Sequence, residues 1–195
     1  MTLEQKTLEL KKRIVNTVSP GAQCNEALCF ADALAALSLG VMRVRPEEPD
    51  WEDRDRLILS AGSADAACRG AGLCADAVAE LPGEAVAIGV DMALKARADI
   101  KIYRCFVMIG QADCLSGKLW ESAIRAHENM LEDLTVILCR KCDDILPGAD
   151  NICARFSAFG FDTFSVEGDN VSAIGLALSL PRHSGKPLFV CCDVK

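Results

Sequence analysis

Short apolar runs alternate with longer segments of helical periodicity along most of this chain. The run Tyr103–Ile109 ends at Gly110, as expected of a strand that is buried on both faces of a parallel sheet. The other predicted strands are Leu57–Leu59, Leu134–Leu138, Asp162–Val166 and Leu188–Cys191. The predicted helices are Leu3–Val18, Asn25–Leu39 (ending at Gly40), Ala64–Glu80, Val86–Ala98, Leu119–Asn129, Ile152–Phe159 and Val171–Leu180. This alternation predicts a doubly wound α/β fold, with a mostly parallel sheet and helices on both faces.

Length and charge narrow the classes of function. A chain of 195 residues that is 51% hydrophobic is sufficient for one large core, so a single domain over residues 1–195 is predicted. The net charge of −7, without a cluster of Lys and Arg, argues against a nucleic-acid partner. The charged N-terminus does not resemble a signal peptide, and Asp32 interrupts the most apolar stretch. A cytoplasmic protein with no membrane partner is therefore expected.

The cysteines indicate thiols rather than a disulfide framework. There are eleven, an odd number, and they are scattered through apolar segments. Cys139 and Cys142 have a spacing that suits zinc or redox chemistry, but four zinc ligands are not evident nearby, so buried or surface thiols are the favoured interpretation. Neither His127 nor His183 lies in a recognised nucleophile motif.

Four segments carry a family resemblance in their order along the chain: SPGAQCNEALCFADALAAL, VMRVRPEEPDWEDRDRLILSAGS, MIGQADCLSGKLWESAIRAHENMLEDLTVIL and FSAFGFDTFSVEGDN. They resemble successive landmarks of the transketolase N-terminal domain. PDWEDRDRLILSAG is the most specific, being similar to the family's Pro-x-Trp-x-x-Arg-Asp-Arg-x-x-Leu-Ser, which leads to Lys-Gly-His. GQADCLSGKLWESA resembles the family's Gly-Asp-Gly-Glu followed by Glu-Gly-x-x-Trp-Glu-Ala.

The resemblance implies a thiamine-diphosphate-binding fold. In the family this domain binds the diphosphate and Mg²⁺, whereas a separate later domain carries the glutamate that activates the aminopyrimidine. It also implies a homodimer, or a heteromer with a chain of the transketolase C-terminal type.

The family's pocket residues are replaced at most matching positions. The two histidines that contact the cofactor correspond to Ala22 and Ser63, and Ser63 is predicted to be a helix N-cap instead. The two Mg²⁺ ligands, an aspartate and an asparagine, correspond to Gln111 and Lys141. Asp113 replaces the family's glutamate and is predicted to form an ion pair with Lys141.

The family's glycine loop is also missing, since Leu81–Glu84 leads almost directly into the next helix. These changes predict a transketolase-like pseudoenzyme, structural or regulatory, with no catalytic residue and no bound thiamine diphosphate or Mg²⁺. One alternative is the N-terminal subunit of a split transketolase that transfers two-carbon ketol units with a separate partner. Another is a module that binds a different phosphate-bearing ligand through Arg140 and Lys141.

Overall fold

A six-stranded sheet forms the centre of the protein. The computed structural model describes residues 2–18, 26–45, 47–48, 50–143, 145–147, 150–180 and 185–195. The strands are β1 Arg56–Leu59, β2 Ala77–Val78, β3 Cys105–Ile109, β4 Leu134–Lys141, β5 Asp162–Glu167 and β6 Leu188–Val194. Their order is β2-β1-β3-β4-β6-β5, and all neighbouring pairs are parallel. The doubly wound α/β prediction is confirmed.

Helices cover both faces of the sheet. They are α1 Leu3–Thr17, α2 Ala31–Ala36, α3 Ser63–Gly70, α4 Glu84–Ala98, α5 Gly117–Glu128, α6 Ile152–Ala158 and α7 Val171–Leu178. A π-helical turn, Leu37–Val41, continues α2, and a 3-10 turn, Gln111–Leu115, follows β3.

Each face of the sheet has its own hydrophobic core, because alternate strand residues point to opposite faces. On one face, Phe106 and Met108 of β3 pack in a cluster with residues of α1, α2, α3 and α7. On the other face, Val107 and Ile109 belong to a cluster with residues of α4, α5 and α6. Among the described residues, no helix has the length and apolar character needed to cross a bilayer.

Two predicted helices differ from the structure. The helix predicted over Ala64–Glu80 ends at Gly70, because Gly72 adopts a left-handed conformation and the N–H groups of Gly72 and Leu73 bond back to the carbonyls of Arg69 and Cys68. This is the Schellman arrangement, and it releases the chain into β2. The helix predicted over Asn25–Leu39 is interrupted: residues 26–28 are helical, a turn follows at 29–30, and α2 with its π turn extends to Val41, past Gly40. Asn25 itself lies outside the described residues.

Candidate functional site

A cleft of about 240 Å³ opens at the carboxyl edge of the sheet, where β1, β3 and β4 end. Open parallel sheets bind their ligands at this edge. The cleft is lined by Glu26 and by residues that the sequence singled out, among them Ser63, Gln111, Asp113, Arg140 and Lys141. The structure therefore brings the predicted pocket residues together, except Ala22, which lies outside the described part of the chain.

Ser63 does not cap α3 as predicted. The N-cap is Gly62, with φ of +85°, a backbone conformation that glycine adopts without strain. Ser63 is therefore the first helical residue, and its hydroxyl donates to Glu26 Oε2 at 2.7 Å across the mouth of the cleft. Glu26 was not singled out from the sequence, since a lone glutamate carries no motif there.

Asp113 is held by backbone N–H groups rather than by Lys141. Its Oδ1 accepts a hydrogen bond from the Gly83 N–H at 2.7 Å, and its Oδ2 accepts one from the Gly110 N–H at 2.9 Å. The residue is 4% exposed, and no ion pair within 4 Å joins it to Lys141. The predicted ion pair is wrong, because the 3-10 turn directs the carboxylate back toward the chain.

The short connection between β2 and α4, predicted from the sequence, runs through residues 79–83. Gly83 ends it with φ of +78°. A Cβ at Gly83 would lie 2.6 Å from Ser116 Oγ and 2.9 Å from the Leu119 nitrogen, so a larger residue does not fit. Gly83 thus supplies both the turn and an N–H that donates to Asp113. Its place after Pro82 in the sequence indicates only the turn.

The Gln111 side chain also forms a hydrogen bond within the chain. Its amide oxygen accepts a hydrogen bond from the Leu146 N–H at 2.9 Å and so joins the start of the 3-10 turn to the chain that follows β4. The side chain that the resemblance assigns to the family's metal-binding aspartate therefore has a structural partner.

Positive charge lines the end of β4. Arg140 Nε donates to Asp193 Oδ1 at 2.6 Å, and the adjacent Lys141 lines the cleft. Burial raises the pKa of the Cys29 thiol at the base of the cleft, and the charge of Lys141 only partly offsets this. Cys29 is therefore a neutral thiol rather than an anionic ligand at neutral pH.

Cys139 and Cys142 lie in different environments. Cys139 is buried and Cys142 is exposed. A hydrogen bond with Cys192, together with burial, raises the pKa of the Cys139 thiol. Within the described ranges, no group of three or more His, Cys, Asp or Glu side chains is arranged to hold a metal ion.

At the two positions that the resemblance assigns to the metal ligands, the described side chains are a poor fit for Mg²⁺. Mg²⁺ requires several oxygen ligands in near-octahedral geometry. The resemblance assigns one ligand position to Gln111, whose oxygen already accepts from Leu146, and the other to Lys141, which carries an ammonium. Two unit charges 4 Å apart interact by about 4 kcal/mol at an effective dielectric near 20, and the repulsion doubles for a dication. Asp113, which also lines the cleft, already accepts hydrogen bonds from two N–H groups.

Comparison with known proteins gives relatives that include subunits of transketolases. An apulose-4-phosphate transketolase subunit of Phocaeicola vulgatus is 25% identical over 210 residues, which cover 89% of this chain and 75% of that protein. The 6-deoxy-6-sulfo-D-fructose transketolase subunit SqwG of a Clostridium species is 24% identical over 207 residues, covering 84% of this chain and 73% of that protein. No protein-family model matches the chain.

Solved structures share the fold. A crystal structure of a transketolase variant from Pichia stipitis superposes with a TM-score of 0.78 over 98% of this chain at 18% identity. The present chain spans 36% of the length of that transketolase. Similarity along most of the sequence and the common fold together confirm that this chain resembles the N-terminal domain of transketolases.

Proposed function

We propose that this chain is a non-catalytic subunit of a transketolase-type assembly, which keeps the fold for a structural or regulatory role and has lost thiamine diphosphate and Mg²⁺ binding. The observation that supports the proposal is the donor set of the cleft, which is lined by Lys141 and Gln111, the residues that the resemblance assigns to the positions of the two metal ligands. A diphosphate bound without Mg²⁺ would need groups of the protein to compensate its negative charge.

The geometry around Asp113 supports the same conclusion. Its two hydrogen bonds secure the short 79–83 connection, so rotating the carboxylate toward a metal would leave the N–H groups of Gly83 and Gly110 without this acceptor. An unsatisfied buried donor costs about 1–3 kcal/mol, so two of them oppose the rotation. The only described aspartate lining the cleft is thus committed to the fold.

The partner in this proposal is a second chain of the transketolase C-terminal type, or a second copy of this one. Two curated relatives are named as transketolase subunits, and this chain spans only about a third of a complete transketolase. In such an assembly, an inactive domain with this fold contributes a contact surface for the partner and no catalytic group.

Calorimetric titration of the chain with thiamine diphosphate and Mg²⁺ tests the loss of binding. We expect no saturable heat from the wild-type chain. The double variant Gln111→Asp, Lys141→Asn restores the two ligand types, and any Mg²⁺-dependent heat that it gains would locate the loss at these positions. Micromolar binding by the wild-type chain would overturn the proposal.

An active half of a split transketolase is the second candidate, favoured by the subunit names of the relatives. The two candidates differ in what a reconstituted pair does. The chain would be co-purified with a transketolase C-terminal-type chain and assayed for transfer of a two-carbon ketol unit between sugar phosphates. The lead proposal expects a stable pair without transfer, and transfer above that of the partner alone would favour the active half.

The cations of the cleft support a third candidate, a site for another phosphate-bearing ligand. Arg140 and Lys141 line the cleft beside the first turn of α3, where charged and backbone donors for phosphate oxygens are available. A thermal-shift screen of sugar phosphates and nucleotides tests it, with Lys141→Asn as the control. Stabilisation of the wild-type chain that the variant loses would favour this candidate, and no stabilisation would argue against it.

A further inference from the structure

One side of the sheet ends in a strand that is long enough to pair with another strand. In the described chain, β5 is the last strand on this side, and it pairs with β6 in continuous register over Asp162–Glu167. The strand on the opposite side, β2, has only two residues. Very short strands are one way in which proteins prevent pairing at the side of a sheet. β5 is therefore the side on which a further strand can add.

The hydrogen bonds to β6 determine which residues of β5 face outward. The Asp162 N–H donates to the Pro187 carbonyl at 3.0 Å. Six residues later, the Gly168 N–H donates to the Asp193 carbonyl at 2.8 Å. In a parallel pair, alternate residues turn both their N–H and C=O groups toward the neighbouring strand. The even-numbered residues of β5 thus bond to β6, and the others turn their backbone groups outward: Thr163, Ser165 and Glu167.

The outward groups are accessible. Among the described residues, no hydrogen bond reaches the backbone groups of Thr163 or Ser165. The Ser165 hydroxyl donates to Asp193 Oδ2 at 2.8 Å within its own chain, and the residue is exposed. The outer side of β5 thus presents backbone donors and acceptors in the spacing that another strand needs.

The sequence of β5 favours pairing. Proteins commonly protect an exposed strand with lysine, proline or a bulge. The four central residues, Thr163–Val166, are uncharged and contain no proline, and the continuous register with β6 leaves no bulge. Phe164 is 40% exposed, and aromatic and β-branched residues favour strands.

The charges of β5 lie at its two ends and are compensated within the chain. Asp162 Oδ1 lies 3.7 Å from Lys186 Nζ, and Glu167 Oε1 lies 2.9 Å from Lys195 Nζ. Both lysines flank β6 in the sequence. A second strand with the same charges therefore adds no uncompensated acid, so β5 is compatible with a copy of itself.

We propose that the outer side of β5 binds β5 of a second copy of this chain, antiparallel about a two-fold axis, so that the two six-stranded sheets become continuous. A two-fold interface requires each strand to offer the groups that the other needs. Centring the axis on Ser165 gives about six backbone hydrogen bonds, because Ser165 lies opposite its copy and Thr163 lies opposite Glu167 in both directions. Centring it on Phe164 gives about four, so the register at Ser165 is favoured.

The side chains suit this register. Phe164 lies opposite Val166 of the second copy in a pair without hydrogen bonds, where cross-strand side chains are closest. Pairs of an aromatic and a β-branched residue stabilise sheets. Val166 already packs against the core that includes α7, so the pairing extends this core across the axis. Neither acid of one strand lies opposite an acid of the other.

Sedimentation of the intact chain over a wide range of concentration tests whether it dimerises, and amide hydrogen exchange locates the surface. We expect the mass to rise from one chain to two. The amides of Thr163, Ser165 and Glu167 should exchange rapidly in the dilute chain and slowly in the dimer. The amides of Phe164 and Val166, which bond to β6, should exchange slowly at every concentration. This alternation is specific to pairing along β5.

Two variants at one position give a matched comparison. Thr163→Pro removes one outward N–H from each copy and leaves the bonds to β6 in place. The loss of two hydrogen bonds should raise the Kd of the dimer about tenfold or more. Thr163→Val keeps the N–H and the size of the side chain, so it should dimerise as the wild type does. Equal dimerisation of the two folded variants would contradict the proposal, and if Thr163→Pro does not fold, exchange in the wild-type chain decides.

Three results would overturn the pairing. They are a chain that stays monomeric at every concentration, a dimer in which the outward amides of β5 still exchange rapidly, and protection of those amides only after a chain of the transketolase C-terminal type is added. The last result would assign β5 to that partner. The pairing does not depend on the loss of thiamine diphosphate binding, so this test and the calorimetric titration can fail separately.

Discussion

The two ends of the sheet each bury one aspartate, and they neutralise it differently. At the amino edge, Asp55 is fully buried and accepts from the backbone N–H and the guanidinium of both Arg43 and Arg104, at 2.7–3.2 Å. At the carboxyl edge, the hydrogen bonds that Asp113 accepts from described residues come from the N–H groups of Gly83 and Gly110. Within that part of the chain, one carboxylate is paired with two cations and the other with backbone dipoles.

The difference indicates that the amino edge of the sheet is structural, whereas the carboxyl edge can accept substitutions. Arg43 lies before β1 in the chain and Arg104 directly precedes β3. Asp55 forms ion pairs with both arginines where these strands begin. Near Asp113, by contrast, Lys141 has no described carboxylate within ion-pair distance, and the cleft remains open. We expect substitutions at the amino edge to cost stability and those around the cleft to affect ligands more than folding.

The largest expected effect is at Asp55. Asp55→Ala leaves two neighbouring guanidiniums without their shared carboxylate, which costs about 3 kcal/mol, the low end for a broken buried pair because both arginine side chains are partly exposed, at 40% and 22%. Urea unfolding measures the change. The matched control is Asp91→Ala, which removes an exposed pair with Arg125 and should cost less than about 1 kcal/mol. Equal losses in the two variants would contradict the comparison.

The stability that Asp55 provides should depend on pH. Burial opposes its ionisation, but hydrogen bonds from Arg104 and Arg43 outweigh it and hold the pKa below the ordinary value of 3.8. A depressed native pKa contributes stability that is present above the unfolded-state value and is lost as the pH falls through the native value. We therefore expect the difference in unfolding free energy between the wild type and Asp55→Asn to be constant near neutral pH and to shrink below 3.8. A free-energy difference that grows on acidification would contradict a lowered pKa for Asp55.

At Asp113 we expect an intermediate effect. In Asp113→Asn, the amide nitrogen cannot accept, so one of the two N–H groups, at Gly83 or Gly110, loses its acceptor at a cost of about 1–3 kcal/mol. Urea unfolding measures the loss, and amide hydrogen exchange should become faster at whichever of Gly83 and Gly110 loses its acceptor. Asp150→Asn, at an exposed ion pair with Arg155, is the control and should change neither quantity appreciably. Unchanged exchange rates at both Gly83 and Gly110 would mean that the Asp113 carboxylate does not hold these N–H groups.

The sequence predicts the sheet well because a buried parallel strand is a run of apolar residues, as in Cys105–Ile109. It does not predict β2, because two residues are too few for a periodic pattern, and the helical pattern after Ser63 conceals the stop at Gly72. The family resemblance places Ser63, Gln111, Asp113 and Lys141 at one cleft.

What the side chains do in the cleft was harder to predict. The partner of Asp113 is the N–H of Gly83, 30 residues earlier in the chain, and no local pattern indicates such a contact. Ser63 differs from its predicted role because the positive φ of Gly62 displaces the N-cap by one residue. Contacts that tertiary packing creates are therefore the part of the site that sequence patterns leave undetermined.

The smallest expected effect is at Lys141. Lys141→Asn removes a half-buried ammonium that has no described ion-pair partner and lies next to the like charge of Arg140, so the unfolding free energy should change by no more than about 0.5 kcal/mol. The neighbouring Arg140→Gln breaks the 2.6 Å bond to Asp193 and should cost about 1.5–3 kcal/mol, the range for hydrogen bonds to charged groups. Thermal unfolding of both variants measures the contrast. If Lys141→Asn destabilised the protein as much as Arg140→Gln does, the cation at the metal-ligand position would be part of the fold, and the carboxyl edge would resemble the amino edge after all.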